Sequence, residues 1–293
     1  MSVVDVFRRE VREAEIVSVD SMCVYRGMDV GTAKPSAHDQ ALVAHHLLDL
    51  VDPDEEYSVA QYQRDSIAAL ASIDGRGSVA LFVGGTGLYV DAIVNGLTIP
   101  AQFPEIRSQL ERDADLLGAS SLHERLTVLD PAAAARMEPG NTRRIVRALE
   151  VTLGSGRPFS SFGPGLQETR RVEATPMFAI QWPREVLTER IHARIDAQMA
   201  AGFLDEASAI VDRFGGRISR TAAQALGYRE LWEHLRGETS LDEAIAKTVL
   251  RSRQFAVRQE RWFRRDPRIE WLDGSRPHDE LAATIATRVA TRF

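Results

Sequence analysis

The apolar positions of the chain fall into two rhythms. Short unbroken apolar runs, AEIVSVD at 14–20 and SVALFV at 78–83, have the length and β-branched content of strands in a parallel sheet, the second of them fully buried. Around them apolar residues recur every three or four positions. Residues 4–14 predict a short helix, and SVAQYQRDSIAALASI (58–73) predicts a longer one opened by Ser58. LYVDAIVNGL continues helically after the second strand as far as Gly96. This is βαβ alternation. TIPAQFPEI, with prolines at 100 and 104, breaks it, and only helical patterns follow, at 104–117, 119–129, 131–137 and 141–153. GSGRPFSSFGPG (154–165) is rich in Gly, Pro and Ser and reads as a linker or mobile loop. FAIQWP (178–183) reads as a return to the sheet, followed by helices at about 184–201, 203–213, 221–235, 240–263 and 277–291. The implied architecture is a parallel α/β core, 1–100 with 166–293, interrupted by a helical insertion at 101–165.

Composition narrows the class. At 293 residues, 44% apolar and 27% charged, the chain can bury a full core and is too apolar for disorder. Its single cysteine, Cys23, excludes an intramolecular disulfide, and MSVVDVFRREVREAE is too charged to hold a signal-peptide core. No apolar run approaches the ~20 residues of a membrane helix, so a cytoplasmic protein without a membrane partner is expected. The net charge of −6 argues at first against nucleic acid. Yet only Lys34 and Lys247 are lysines, and the arginines cluster, first at Arg136, Arg143, Arg144 and Arg147, then from Arg251 to Arg268. Two local basic surfaces are possible; on composition alone, solvated, salt-bridged helix faces are the preferred reading of both clusters.

The candidate chemistry gathers at strand ends. VALFVGGTGLYVDAI is strand, Gly84-Gly85-Thr86-Gly87, helix, which offers amide N–H groups and a hydroxyl at a helix N-terminus. No GK[ST] occurs in the chain, so this is not a Walker A loop, and alone GGTG is more often a tight turn than a phosphate site. Asp20 closes the first strand. An isolated Asp-Ser pair usually caps a turn, but ligands of open parallel sheets bind outside the carboxyl ends of the strands, where a base is plausible. His45, His46 and Asp49 form a poor metal site, because adjacent residues of an extended segment point to opposite sides.

Seven blocks, in order, carry a closer likeness: AEIVSVDSMCVYRGMDVGTAKP, HHLLDLVDPDEEYSVAQY, LFVGGTGLYVDAIVNGL, LDPAAAARMEPGNTRRIVRALEV, LTERIHARIDAQMAAGFLDEA, TAAQALGYREL and RSRQFAVRQERWFR. From about Ala14 onward the chain resembles the tRNA dimethylallyltransferases (tRNA isopentenyltransferases). The resemblance implies a P-loop NTPase-like parallel core with a helical insertion, and transfer of a dimethylallyl group from dimethylallyl diphosphate to N6 of an adenosine beside the tRNA anticodon. It makes Asp20 the general base, a role worth ~10²–10⁴ in rate. It sets Arg194, with Gly85 and Thr86, against the diphosphate. Arg190 and Arg194 share a helix face, and an ion pair to Glu189 or Asp196 is the ordinary alternative for either. The resemblance assigns tRNA contacts to Asp20, Ser21, Met22 and Cys23, to Thr86, to Arg107, to Arg143, Arg144, Ile145, Val146 and Arg147, and to the Gln224–Arg229 turn containing Gly227 and Tyr228. The i, i+4 spacing of Arg143 and Arg147 adds independent support, since two such arginines can straddle a backbone.

Members of the family normally begin with a strand and a Walker A-like loop, G-x-T-x-x-G-K-[ST], which holds the diphosphate and helps hold Mg²⁺. MSVVDVFRREV aligns with the helix after that loop, so the first strand and loop are expected to be missing and an internal sheet position to be empty. Mg²⁺ is implied as cofactor, its ligands unassigned. The leading expectation is an active, monomeric tRNA dimethylallyltransferase. The alternative is a truncated, catalytically inactive relative that binds tRNA; a small-molecule nucleotide kinase is disfavoured by the absent GK[ST] and by RRIVR and GYRE.

Overall fold

A computed structural model of the chain describes residues 13–163 and 175–290. The helix expected at 4–14 lies outside them apart from its last two positions, where Ala14 instead opens the first strand. The chain forms two compact units, residues 1–94 with 172–293, and residues 95–171. The larger unit begins with β1 (Ala14–Val19), α1 (Ala37–Leu42), β2 (His45–His46), α2 (Val59–Gly75), β3 (Val79–Gly84) and α3 (Gly87–Val94). The smaller holds α4 (Pro104–Leu129), α5 (Pro131–Ala134) and α6 (Thr142–Ser155). The larger unit resumes with β4 (Met177–Gln181), α7 (Arg184–Ala200), α8 (Phe203–Phe214), α9 (Tyr228–Leu235), α10 (Leu241–Phe263), β5 (Ile269–Asp273) and α11 (His278–Ala290).

β1 is the middle strand of a parallel sheet ordered β2-β1-β3. Its pairing runs from Ala14 opposite Val79 to Val19 opposite Gly84, so β1 and β3 finish at the same rim. Ser58 caps α2 as its sequence predicts: the Ser58 hydroxyl accepts the Gln61 N–H, and the Gln61 side chain accepts the Ser58 N–H. The core between sheet and helices contains Val17, Val19, Tyr25, Tyr62, Phe203 and Tyr228, large side chains each worth about 1.5–3 kcal/mol when fully buried.

Two strands depart from expectation. SVALFV is not fully buried: β3 is half-buried along most of its length and Val83 is 55% exposed. Among the described residues β3 pairs on one side only, with β1. FAIQWP does return to a sheet, but to a second one, in which β4 pairs in parallel with β5. The pattern did not predict β5, because the five residues Ile-Glu-Trp-Leu-Asp just past Pro267, with Trp271 and Leu272 adjacent, carry too weak a period to separate from a loop. Ala282, Ala286 and Val289 of α11 pack into one cluster with Ala14, Val79, Leu81 and Phe178, so a single helix face underlies strands of both sheets.

In the smaller unit α4 breaks at Gly118, whose φ of 81° only glycine adopts readily, at the point where the pattern separated 104–117 from 119–129. Leu110, Leu122 and Leu126 close on Ile145, Val146, Ala148 and Leu149 of α6. The described part of the Gly/Pro/Ser-rich stretch is not a free linker. Its 3₁₀ turn, Phe159–Phe162, is tied down by Ser160, whose N–H and hydroxyl both donate to the Asp130 carboxylate at 2.7 Å.

Candidate active site

Because β1 and β3 end side by side, the turns that follow them meet. After Val19 comes Asp20-Ser21; after Gly84 come Gly85, Thr86 and α3. The Thr86 N–H donates to the Val19 carbonyl (3.0 Å), the Ser21 N–H to Thr86 Oγ1 (3.1 Å), and the Thr86 hydroxyl to Ser21 Oγ (3.3 Å). Gly84, at φ 154°, lies so close to the Val19 backbone that a Cβ has no room. The GGTG turn is thus a strand-to-strand weld as well as a helix start.

Asp20 spends one oxygen on its own turn. Oδ1 accepts the N–H of Met22 (2.7 Å) and of Cys23 (3.4 Å), which is the capping role expected of an ordinary Asp-Ser pair. That bond fixes the carboxylate and leaves Oδ2 without a partner among the described residues. Cys23 turns inward, and burial, reinforced by the Asp20 charge, pushes its thiol up to about 11, so it stays protonated at neutral pH. Behind the rim all five tyrosines of the chain are buried; Tyr62 is pushed up to about 12 by burial, and Tyr89 is raised by burial and, less, by Tyr25, Tyr62 and Asp20.

Arg190 and Arg194 separate in role. Arg190 lies over the Trp182 ring at 4.2 Å, a cation–π contact. Arg194 is exposed and, among the described residues, pairs with neither Glu189 nor Asp196. It borders a cleft of about 560 Å³ between α7 and the segment 29–40. Lys34, also at that cleft, is committed: its Nζ holds Asp29 (2.5 Å), Asp49 (2.6 Å) and the Tyr25 carbonyl (2.8 Å). His45 and His46 go to different partners, the Val43 carbonyl and Glu15, and among the described residues no three His, Cys, Asp or Glu side chains are placed to hold a metal.

The glycine turn is backed by α10. Gln259 donates to the Gly85 carbonyl (2.9 Å), and Trp262 fills the space where a Cβ on Gly87 would stand. Gly85 therefore faces a side chain through its carbonyl. Neither Gln259 nor Trp262 was singled out from the sequence, although both lie in RSRQFAVRQERWFR, three apart, the spacing of one helix face.

The helix expected over 221–235 is interrupted. A 3₁₀ turn at Ala222–Gln224 is followed by Gly227 at φ 85°, whose N–H donates to Glu230 and starts α9. Glu230 is fully buried and paired with Arg251. Tyr228 is fully buried too, its hydroxyl on Glu206, so of the Gln224–Arg229 segment only Gln224 and Arg229 present polar side chains outward. Arg229 is held by Glu233 at 3.2 Å, and the Gln224 amide donates to the Arg220 carbonyl.

In the smaller unit the arginines divide. Arg143 and Arg144 are exposed. Arg147 does not reach outward beside Arg143 as its spacing suggested: its guanidinium donates to the carbonyls of Pro100 (2.8 Å) and Ala101 (3.3 Å) and to Glu150 (2.8 Å). Arg107 joins the same fully buried Glu150 at 3.4 Å and pairs with Glu111. Ile145 and Val146 are buried in the unit's core, so their side chains cannot meet RNA.

Comparison with known proteins bears on the whole chain. Residues 23–266 match the IPP transferase family. A tRNA dimethylallyltransferase of Kineococcus radiotolerans is 46% identical over 275 residues, covering 93% of this chain and 86% of the relative. The solved full-length tRNA isopentenylpyrophosphate transferase of Bacillus halodurans has 36% identity and a TM-score of 0.69, covering 99% of this chain and 90% of that one. A eukaryotic dimethylallyltransferase solved acting on tRNA shares the fold, with a TM-score of 0.77 at 21% identity, covering 99% of this chain and 76% of that one. The chain belongs to the IPP transferase family, that of the tRNA dimethylallyltransferases.

Proposed function

We propose that the chain transfers a dimethylallyl group from dimethylallyl diphosphate to N6 of an adenosine next to the anticodon of a tRNA. The observation that carries this reading is the rim itself: a carboxylate locked through one oxygen with the other open, beside Thr86, in a unit that also exposes Arg194. The N6 lone pair is delocalised into the purine ring, so the amine attacks only as its proton leaves. Asp20 Oδ2 takes that proton while the N6–carbon bond forms. The allylic carbon–oxygen bond breaks, and the diphosphate departs with its electron pair toward Arg194 and the amide-rich turn at Thr86. An adenosine stacked in its loop cannot present N6 to such a rim, so the base is extruded and read there.

Mg²⁺ is part of the proposal. The Ser21 and Thr86 hydroxyls are hard oxygen donors of the kind it takes, and with Asp20 kept as the base most ligands would come from diphosphate and water. Bound there, it would supply charge neutralisation for the departing diphosphate. For tRNA, the reading draws on Ser21, Met22 and Thr86 at the rim, on the exposed Gln224 and Arg229 of the same unit, and on Arg143 and Arg144 of the smaller unit. Among the described residues no helix is long and apolar enough to cross a membrane; cytoplasmic location and a monomeric state belong to the same proposal.

Asp20→Asn tests the reading, because the side chains are isosteric and the amide cannot accept the proton. Single-turnover transfer to an anticodon stem-loop should fall by about 10²-fold or more with stem-loop affinity nearly intact. Equal rates for variant and parent would remove Asp20 from the mechanism.

A further inference from the structure

Residues 29–31 have no secondary structure of their own, yet nearly every backbone group in them is held. The N–H groups of Asp29 (3.0 Å), Val30 (2.8 Å) and Gly31 (3.2 Å) all donate to the Glu206 carboxylate, which also receives the Tyr228 hydroxyl. Three successive amides converging on one anion form a nest, and here the protein supplies the anion from α8. The carbonyls of Val30 (2.7 Å) and Gly31 (3.0 Å) both accept from the Gln198 amide on α7. Two side chains from two helices thus grip the same three residues from opposite polarities. Gly31 leaves no slack, since a Cβ there would collide with the rings of Phe203 and Tyr228.

The grip leads in two directions. Toward the N-terminus the loop is a bonded unit ending on the base: the Thr32 hydroxyl donates to the Met28 carbonyl (2.6 Å), the Cys23 thiol reaches the Thr32 carbonyl (3.9 Å), Lys34 holds the Tyr25 carbonyl, and the Cys23 and Met22 amides sit on Asp20. Toward α7, Gln198 lies four residues, one turn, after Arg194 on the same face. The path from Asp20 to Arg194 therefore runs through residues 29–31 and their two clamps.

We propose that Gln198 and Glu206 are positioning residues for the transfer: by clamping residues 29–31 they fix the register between the loop that carries Asp20 and the helix that carries Arg194. Neither touches the reacting atoms. A base and a leaving-group cation must face opposite ends of the same forming and breaking bonds, and a misplacement of about 1 Å costs on the order of 10²-fold in rate. Glu206 suits the task because a carboxylate accepts from all four donors at once, whereas an amide would turn an N–H toward one of them.

This inference rests on the transferase reading of Asp20 and Arg194, and the test keeps the two apart. Glu206→Gln, Gln198→Met and Asp20→Asn are compared with the parent for single-turnover transfer to an anticodon stem-loop and for amide exchange resolved at residues 22, 23 and 29–31. The expected result is that both clamp variants slow transfer by about tenfold or more with stem-loop KM within about twofold, and that the Met22 and Cys23 amides exchange faster together with those of 29–31. Glu206→Asp, which keeps the charge, should recover part of both effects. Faster exchange confined to 29–31, or an unchanged transfer rate, would overturn the proposal as a purely local brace. If Asp20→Asn transfers as well as the parent, the transferase reading of the site fails, while the exchange pattern still decides the clamp. Should Glu206→Gln fail to fold, Tyr228→Phe removes one donor from the same carboxylate, and the same correlated exchange at 22–23 and 29–31 is required of it.

Discussion

Glu15 is a carboxylate inside a strand, and its partners explain why β1 tolerates it. It accepts from the Arg76 guanidinium at 2.6 and 2.9 Å and meets the His46 ring at 2.7 Å, so one side chain pins β1 to β2 and to the end of α2. The Arg76 hydrogen bonds, helped by His46, hold its carboxyl down at about 2 against burial. A carboxylate depressed in the folded state contributes stability that is present above its unfolded value of about 4.5 and is lost as pH falls toward 2. Glu15→Gln should therefore cost about 1–3 kcal/mol at neutral pH, and that difference should shrink between pH about 4.5 and 2 in urea titrations. At this scale the sequence showed only what a motif can show. Asp20, Thr86 and Arg194 stood out by family pattern, whereas Gln198, Glu206 and Gln259 did not, since each acts on backbone far away in sequence and has no local signature. Ile145, Val146 and Tyr228 mark the opposite case, because a motif records that a position matters and not whether its side chain faces ligand or core.

Among the elements, α6 carries the clearest division of labour. One face is core, one end exposes Arg143 and Arg144, and between them Arg147 closes onto Glu150 and the chain at 100–101. Glu150 is fully buried and accepts the Phe103 N–H (2.8 Å) as well as Arg147 and Arg107, so the two arginines neutralise a charge that could not stand alone. Phosphate-binding arginines and buried ion pairs respond differently to mutation. Arg143→Ala with Arg144→Ala should lower the salt slope of tRNA binding by about 0.7–0.9 for each phosphate left without its arginine, and leave the melting temperature close to the parent's. Arg147→Ala should instead destabilise the smaller unit by about 3–5 kcal/mol, by stripping one partner from a buried carboxylate. Filter binding across a salt series, read beside thermal melts, checks both; equal slopes for all variants would return Arg143 and Arg144 to ordinary solvated positions. Elements with long periods, α2, α6 and α10, were legible in the sequence, and so was the break at Gly118. β2 and β5 were not, because strands of two to five residues are defined by a distant partner more than by their own pattern.

For the whole molecule, the order of the motif blocks made the family and the α/β class legible, while the grouping of parallel strands into two sheets had to come from the structure, since parallel pairing joins segments far apart in sequence. The division into two units, each with its own core, carries the last prediction. All four tryptophans (182, 232, 262, 271) and all five tyrosines (25, 57, 62, 89, 228) fall in the larger unit, and none lies in 95–171. Aromatic fluorescence therefore reports on the larger unit alone, whereas far-UV circular dichroism sums helices from both. Leu126 is fully buried where α4 packs on α6, and Leu126→Ala should cost about 2–5 kcal/mol there. In a unit of this size each kcal/mol lowers the midpoint by roughly 4–8 °C, so the helical signal should begin to fall about ten degrees or more earlier than in the parent. The fluorescence midpoint should stay in place, because no residue of the larger unit's core has changed. If both signals shift together by the same amount, the two cores unfold as one cooperative system and the separation into independent units is wrong.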